Sequence, residues 1–530
     1  MKKILMLLLL VIVLGVTGCT NIGNENPVNS EDKINEVVIM ISLLPTEITE
    51  ENRDQVEQIR GLYDLLTAEE KTLVTNFDIF DNAEKAIAAI DAAKAAELVR
   101  NQEIKDELLN IAEELEATIP ALVTDDLNLP IRYDSEIGKV RISWSSSDPF
   151  TLTGTGGVIP AYEQKIVTLT ALLVFENVKQ TFKKEVAVAP ISFAPLVEGK
   201  TVFAYAYGTA HGFDEVALNT IDVVNHAFAY VENGELSSGS LQDRSALLQL
   251  RKEGLRVVLC IGGYGDGAIP WSKAASTEAG RIKLASSIVE GVVEMNYDGV
   301  DVDWEYPGFY DKTLWNIDKA VDSNNYTLMM AEIRKQLKAV NPNYIFSAAV
   351  PGGTWGPDRF EIDELVPVFD YFHLMTYDLD ANERTTHLTA LYASPNTLNA
   401  DCIDGTIAIY LARGGEAIRK KLVVGAAFYG RKFSNTTGMG AAAAGRDSVS
   451  YHTIKRDYID KGYKESWDEA AQAPYLYDEA NGVVFSYDNP QSLIAKSNYI
   501  IENGLGGIMF WQYGQDNTGT LVAAINEGLK

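Results

Sequence analysis

Between residues 31 and about 118, apolar residues return every three or four positions. Val56, Ile59, Tyr63 and Leu66 fall on one side of a helix. Thr67 with Glu70 three residues later is a capping-box signature for the next helix start. Ile87 and Ile90 extend the stripe through an Ala-rich stretch. The pattern predicts a small helical bundle with an acidic outer face. Near Pro120 the period changes from 3.6 to 2. Val140, Ile142 and Trp144 alternate with polar residues, as do Val167, Leu169 and Ala171. Turn clusters such as Ser145-Ser146-Ser147-Asp148-Pro149 separate these runs, so short antiparallel strands of a β-sandwich are expected over 119–192.

From 199 to 530 the apolar runs no longer alternate. Eight of them, at 202–208, 223–231, 256–263, 299–305, 345–350, 371–378, 422–430 and 506–513, read as strands buried on both faces. The connections between them are long enough for helices. Eight β/α units predict a (β/α)8 TIM barrel, with an open doubly wound sheet as the alternative. The longest gap, about 434–484, mixes helical and strand patterns and predicts an α+β insertion before the last strand.

The chain start reads as an address. Lys2 and Lys3 precede an apolar run from Ile4 to about Val16, too short to span a bilayer comfortably. The run ends in Val16-Thr17-Gly18-Cys19, which resembles the lipobox of bacterial lipoproteins, where the Cys carries the lipid. The expected mature protein is extracytoplasmic, held to a membrane through Cys19, with 20–30 as a polar tether. Cys260 and Cys402 then remain, too few for a disulfide framework. The formal net charge of −29 argues against nucleic acid. No His/Cys cluster has zinc-ligand spacing, and neither metal nor cofactor is expected. A monomer is expected.

The chemistry concentrates in Asp298-Gly-Val-Asp-Val-Asp-Trp-Glu-Tyr-Pro-Gly308. Asp301, Asp303 and Glu305 share one face of a strand, about 7 Å apart per step. In a barrel the last strand residue reaches the open end, so Glu305 stands at the mouth with two carboxylates beneath it. An Asp pair can share a proton, and a charge below Glu305 helps to keep it protonated as a general acid. Two other readings stay open on spacing alone: ligation of a hard cation such as Mg²⁺, or a structural network with Arg or Lys.

The same stretch resembles the Asp-x-x-Asp-x-Asp-x-Glu signature of family-18 glycoside hydrolases, in the Trp-Glu-Tyr-Pro form of chitinases. Other strands agree: Leu259-Cys-Ile-Gly-Gly-Tyr-Gly265, Leu374-Met-Thr-Tyr-Asp378, the strand ending at Arg431 and the strand holding Trp511. The resemblance spans about 199–530 and extends to the family's insertion. The segment 119–192 resembles the immunoglobulin-like modules of bacterial surface proteins.

What the family resemblance implies falls on particular residues. Glu305 is the acid on the leaving oxygen. Asp303 holds the substrate's N-acetyl group, and Asp301 supports Asp303. Asp298 is structural. Tyr377 and Asp378 also meet the N-acetyl group, and Trp511 floors the sugar. Tyr205, Phe228, Gly263, Tyr264, Tyr306, Met375, Tyr429 and Arg431 are implied substrate contacts. Cys260 stands where the family has Ser, Tyr264 where Trp is common and Gln512 where Glu is frequent. The implied reaction is hydrolysis of β-1,4-linked N-acetylglucosamine polymers, chitin above all. The alternatives are an endo-β-N-acetylglucosaminidase acting on N-glycans or peptidoglycan, and a non-catalytic chitin-binding protein.

Overall fold

The computed structural model describes residues 29–530 apart from 209–211, 240, 266, 310–314 and 400. The expectations for 1–19, including Cys19, lie outside the described residues. The chain divides into two compact units. The first runs to Ile111 and adds Ser135–Gly138 and Val174–Gln180; the second holds the rest. Among the described residues, no helix is long and apolar enough to cross a membrane.

In the first unit the helices are Ser30–Ser42, Arg53–Asp64, Ala68–Lys71 and the start of Phe77–Thr118. Val37, Ile41, Val56, Ile59, Phe80 and Ala83 form their shared core. The Thr67 and Glu70 capping box is present, each side chain meeting the other's backbone N–H at 3.3 and 2.8 Å. The last helix has 42 residues. Its apolar stripe pauses after Ile90, where residues 91–100 are exposed on every side, and resumes with the buried Ile104, Leu108 and Ile111. Ala, Glu, Lys and Arg propensity sustains the helix over 91–100 without a packing partner.

In the second unit, apart from the short stretches at Ser135–Gly138 and Val174–Gln180, strands Leu122–Val123, Arg132–Ser135, Gly138–Ser146, Lys165–Phe175 and Val178–Val188 form one five-stranded sheet. The first pairs in parallel with the last. A two-layer sandwich was expected. In place of a second sheet, the loop carrying Leu152 and Val158 covers the inward face, packing on Val167, Leu169 and Val186. Val140 and Ile142 are buried as their alternation predicts, while Trp144 is half-buried with its indole N–H on the Pro130 carbonyl at 2.8 Å.

The barrel strands are β1 (Thr201–Tyr207), β2 (Val223–Glu232), β3 (Arg256–Tyr264), β4 (Gly299–Glu305), β5 (Ile345–Pro351), β6 (Tyr371–Met375), β7 (Leu422–Ala427) and β8 (Gly507–Trp511). Each pairs in parallel with its neighbours, and β1 pairs with both β2 and β8. The sheet is therefore closed, which excludes the open doubly wound alternative. The insertion is a five-stranded antiparallel sheet with one helix, Tyr451–Asp457. It begins earlier than the spacing suggested. The seventh run breaks after Ala427, and Tyr429–Ser434 already belongs to the inserted sheet.

The five-stranded sheet meets the barrel at its floor, the N-terminal ends of the strands. Ile159 joins the barrel core. Asn296 Nδ2 donates to the Phe150 carbonyl at 2.6 Å and to Thr151 at 3.0 Å. Arg251, fully buried, pairs with Asp298 at 2.9 Å and donates to the Pro160 carbonyl. Asp298 also accepts from the Val257 N–H at 2.8 Å. The first acid of the signature thus closes the floor, at the opposite end from Glu305. Asp298, expected to be structural, is held at the floor by Arg251.

Candidate active site

At the other end the strands open into a cleft of about 570 Å³. Its lining includes Tyr205, Phe228, Tyr264, Asp303, Glu305, Tyr306, Met375, Tyr377, Asp378, Tyr429, Arg431 and Trp511. Twelve of the fourteen expected site residues therefore share one cavity. The other two, Asp301 and Gly263, lie behind its wall. Gly263 has φ +101°, and a Cβ there would press on the Phe228 ring at 3.1 Å. Its place in the site is to let Phe228 lie flat. Phe228 in turn stacks on Trp511 with centroids 5.6 Å apart, and Tyr205 and Tyr207 flank the same indole. An apolar floor results.

The three carboxylates climb β4 as the two-residue period requires. Asp301 is fully buried, Asp303 almost so, and Glu305 is half-buried at the strand end. Neighbouring strands leave little space around them. Gly262 faces Asp303 across the ladder, and a Cβ there would sit 2.1 Å from the Asp303 carbonyl oxygen.

Asp301 is saturated with donors. Ser347 reaches Oδ1 at 2.6 Å, with His373 Nδ1 3.2 Å from the same oxygen. Tyr205 and Cys260 donate to Oδ2 at 2.8 and 3.2 Å. Burial alone would raise its pKa, but His373, Ser347 and Tyr205 outweigh burial and hold it below the usual carboxylate range. Cys260, at the usual Ser position, still donates; burial first, and the nearby Asp301 charge second, keep it a thiol. Asp303 is the reverse case. Burial, then the charges of Glu305 and Asp301, push it well above its ordinary value, and it hydrogen-bonds to Glu305. Glu305 is pushed up to about 7, chiefly by burial, against hydrogen bonds from Tyr306 and Asp303 that lower it. The sequence expectation is corrected on two points. Asp301 is held low while Asp303 and Glu305 are both raised, so the raised pair stands one step further up the strand than the two aspartates. Desolvation, rather than a charge beneath it, raises Glu305.

Around the mouth, Asp378 sits at φ +55° just past β6, exposed to the cleft. Tyr429 donates to it at 2.7 Å, and Arg431 pairs with the same oxygen. Arg431 also meets buried Asp380 at 3.4 Å, which Arg446 of the inserted sheet grips through two nitrogens. Tyr377 is half-buried beside Tyr429 with centroids 6.2 Å apart. No group of three or more His, Cys, Asp or Glu among the described residues is arranged to hold a metal. Both Asp301 oxygens, the deepest donors a cation would need, are taken by protein groups.

Sequence reasoning missed several lining residues. Phe309, Trp355, Arg446, Ser448 and Gln515 come from loops and the insertion, where no period marks the cleft side. Trp355 packs edge-on against Tyr306 and stays half exposed. His373 had a usable signal: it lies two residues before Met375 on β6, so both face inward.

The family model for glycosyl hydrolases family 18 matches residues 201–516. The chain belongs to glycosyl hydrolase family 18. Chitinase A1 of Niallia circulans is 29% identical over 343 residues, covering 57% of this chain and 48% of that protein. Chitinase B of Serratia marcescens is 28% identical, covering 54% of this chain and 69% of the other. A family-18 N-acetylglucosaminidase structure from Paenibacillus barengoltzii superposes with a TM-score of 0.56 at 30% identity, over 62% of this chain and 99% of that one. The chain thus spans about half the length of the first of these relatives. The family-18 portion is a glycosidase domain, and the helix Thr520–Gly528 follows just past the matched span.

Proposed function

We propose that the chain hydrolyses β-1,4 bonds between N-acetylglucosamine units, chitin most simply, with retention and with the substrate's own acetamido group as nucleophile. The observation that carries this reading is a Glu305 carboxyl raised to about 7 at the strand end, sharing a proton with Asp303 over a donor-saturated Asp301. Family 18 is a substrate-assisted exception to the two-carboxylate rule. The other cleft carboxylate nearby, Asp378, is tied to Tyr429 and Arg431, which suits a binding role better than attack.

The steps follow from the proton count. Asp303 turns its charge to the acetamido N–H, and the shared proton falls to Glu305. Glu305 gives it to the glycosidic oxygen as the C1–O bond breaks. The acetamido oxygen bonds to C1 and forms an oxazolinium, held by Asp303, Tyr377 and Asp378 over Trp511. Water then attacks C1, the C1–oxazolinium oxygen bond breaks, and Glu305 takes the proton of the water. No cofactor enters.

A second reading has its own support. The Paenibacillus barengoltzii relative is named an N-acetylglucosaminidase, which points to short oligosaccharides or glycan ends. Chitin oligosaccharides, a high-mannose glycoprotein and peptidoglycan, each incubated with the protein and analysed for products, separate the readings. Cleavage of internal bonds in chitin hexamers is expected. Release of sugar only from the glycoprotein or peptidoglycan would replace the chitin reading, and binding without products would leave only a lectin.

The same reading places the protein outside the cytoplasm on a lipid at Cys19, with the segments before the barrel as its stalk. Two or more acyl chains anchor stably where one does not. Cys19→Ala should move the protein from the membrane fraction to the soluble one. Unchanged partitioning, with no lipid mass on the N-terminal peptide of the wild type, would refute the anchor.

A further inference from the structure

Beneath the acid pair lies a buried polar group that the reaction above does not use. His373 on β6 is fully buried, with its ring against Phe203 at 4.5 Å and Tyr205 at 5.9 Å between centroids. Its Nδ1 lies 3.2 Å from Asp301 Oδ1, 2.9 Å from the Tyr205 hydroxyl and 3.4 Å from Asn225 Nδ2. Its Nε2 meets no polar partner, and neither does Asn225 Oδ1. These contacts choose a tautomer. A proton on Nε2 would be a buried donor with no acceptor, and a bare Nδ1 would face the Asp301 carboxylate lone pairs. A proton on Nδ1 donates to Asp301 and leaves only a lone pair unmet. Turning the Asn225 amide over then brings its unpartnered carbonyl to the same proton.

Resting on the glycosidase reading above, we propose that His373 is a positioning residue: its Nδ1–H donates to Asp301 and fixes one carboxylate charge beneath Asp303. That charge biases where the proton of the acid pair resides. Asp301 is faced by Tyr205 from β1, Cys260 from β3, Ser347 from β5 and His373 from β6, with Asp303 above it on β4. Glu305 is faced by Asp303, Tyr306, Tyr377 and Asp378. Among these, His373 is the imidazole that can supply a second strong donor to Oδ1. Without it, Asp301 gains a proton more readily and stops repelling charge on Asp303, the carboxyl that it helps to raise. Asp303 then becomes more acidic, so the acid pair that it forms with Glu305 gives up its proton at lower pH.

Two variants and one spectrum test the proposal. His373→Leu should lower kcat roughly tenfold with KM changed far less, and move the basic limb of the rate profile toward acid by about one pH unit. His373→Asn, whose amide N–H can stand in for Nδ1–H, should recover most of both. A His373→Leu profile that overlays the wild type, or an Asn variant as impaired as the Leu one, overturns the proposal. Should the Leu variant fail to fold, the Asn variant and the ¹⁵N spectrum of histidine-labelled wild type decide. The His373 ring should show a protonated Nδ1 and a bare Nε2; the opposite tautomer overturns it. The spectrum needs no turnover, so a chain that cleaves no N-acetylglucosamine polymer would sink the substrate reading while leaving this test intact.

Discussion

Glu305→Gln is expected to lower turnover of chitin oligosaccharides by about 10²–10⁴-fold, the usual contribution of a positioned general acid, while binding changes by a few-fold at most. Gln keeps the size of Glu and its place at the end of β4, so the cleft floor of Phe228 and Trp511 remains. It cannot give a proton to the leaving oxygen. The wild-type rate should also depend on pH in a defined direction. The acid works when protonated, so with Glu305 near 7 the rate is high below that value and falls as pH rises through it. Asp303, raised by burial first, helps to hold the shared proton as the pH approaches that limb. The variant should lose this limb. Steady-state kinetics from pH 4 to 9, with oligosaccharide binding measured separately, check both parts. More than about a tenth of the wild-type rate in the variant would end the acid assignment.

The barrel was legible because its strands are buried on both faces. Such strands are continuous apolar runs, and the eight runs lie within three residues of β1 to β8 at their ends. The break after Ala427 was not legible, since the run from Leu422 to Gly430 stays apolar while the backbone passes into another sheet. The five-stranded sheet shows a related limit. Alternation in Val167, Leu169 and Ala171 says that one face is covered, and it is equally served by a second sheet or by a loop bearing Leu152 and Val158. Within the site, residues on β4 followed from period two alone. Their protonation did not, because it depends on what the neighbouring strands bring: Ser347, Tyr205 and His373 to Asp301, and none of them to Asp303. Phe309, Trp355 and Arg446 lie on loops and on the insertion, where spacing says nothing about which way a side chain faces the cleft.

The other large effect expected is on the substrate side. If the acetamido oxygen is the nucleophile, fully deacetylated chitosan and cello-oligosaccharides should give no detectable hydrolysis, although both fit a cleft floored by aromatic rings. Holding the nucleophile on the reacting sugar avoids a bimolecular encounter, which is worth up to about 7–11 kcal/mol for well-oriented intramolecular groups. Removing the group removes that advantage, and no carboxylate on β4 is free to replace it: Asp301 is saturated with donors, and Asp303 shares its proton with Glu305. Asp303→Asn should then cost nearly as much as Glu305→Gln, on the order of 10²–10³-fold for a lost charge partner of the developing cation. Asn keeps the shape but not the charge, so the loss should appear in kcat more than in KM. Products released early from chitin oligosaccharides should hold the β configuration, because two displacements at C1 restore it, and a thiazoline mimic of the oxazolinium should compete with substrate. Early-time NMR of the released sugars decides the matter. An α-anomer appearing first would mean direct inversion by water, and with it the roles of Asp303, Tyr377 and Asp378 at the acetamido group would fall, because an inverting site asks them to place a water instead.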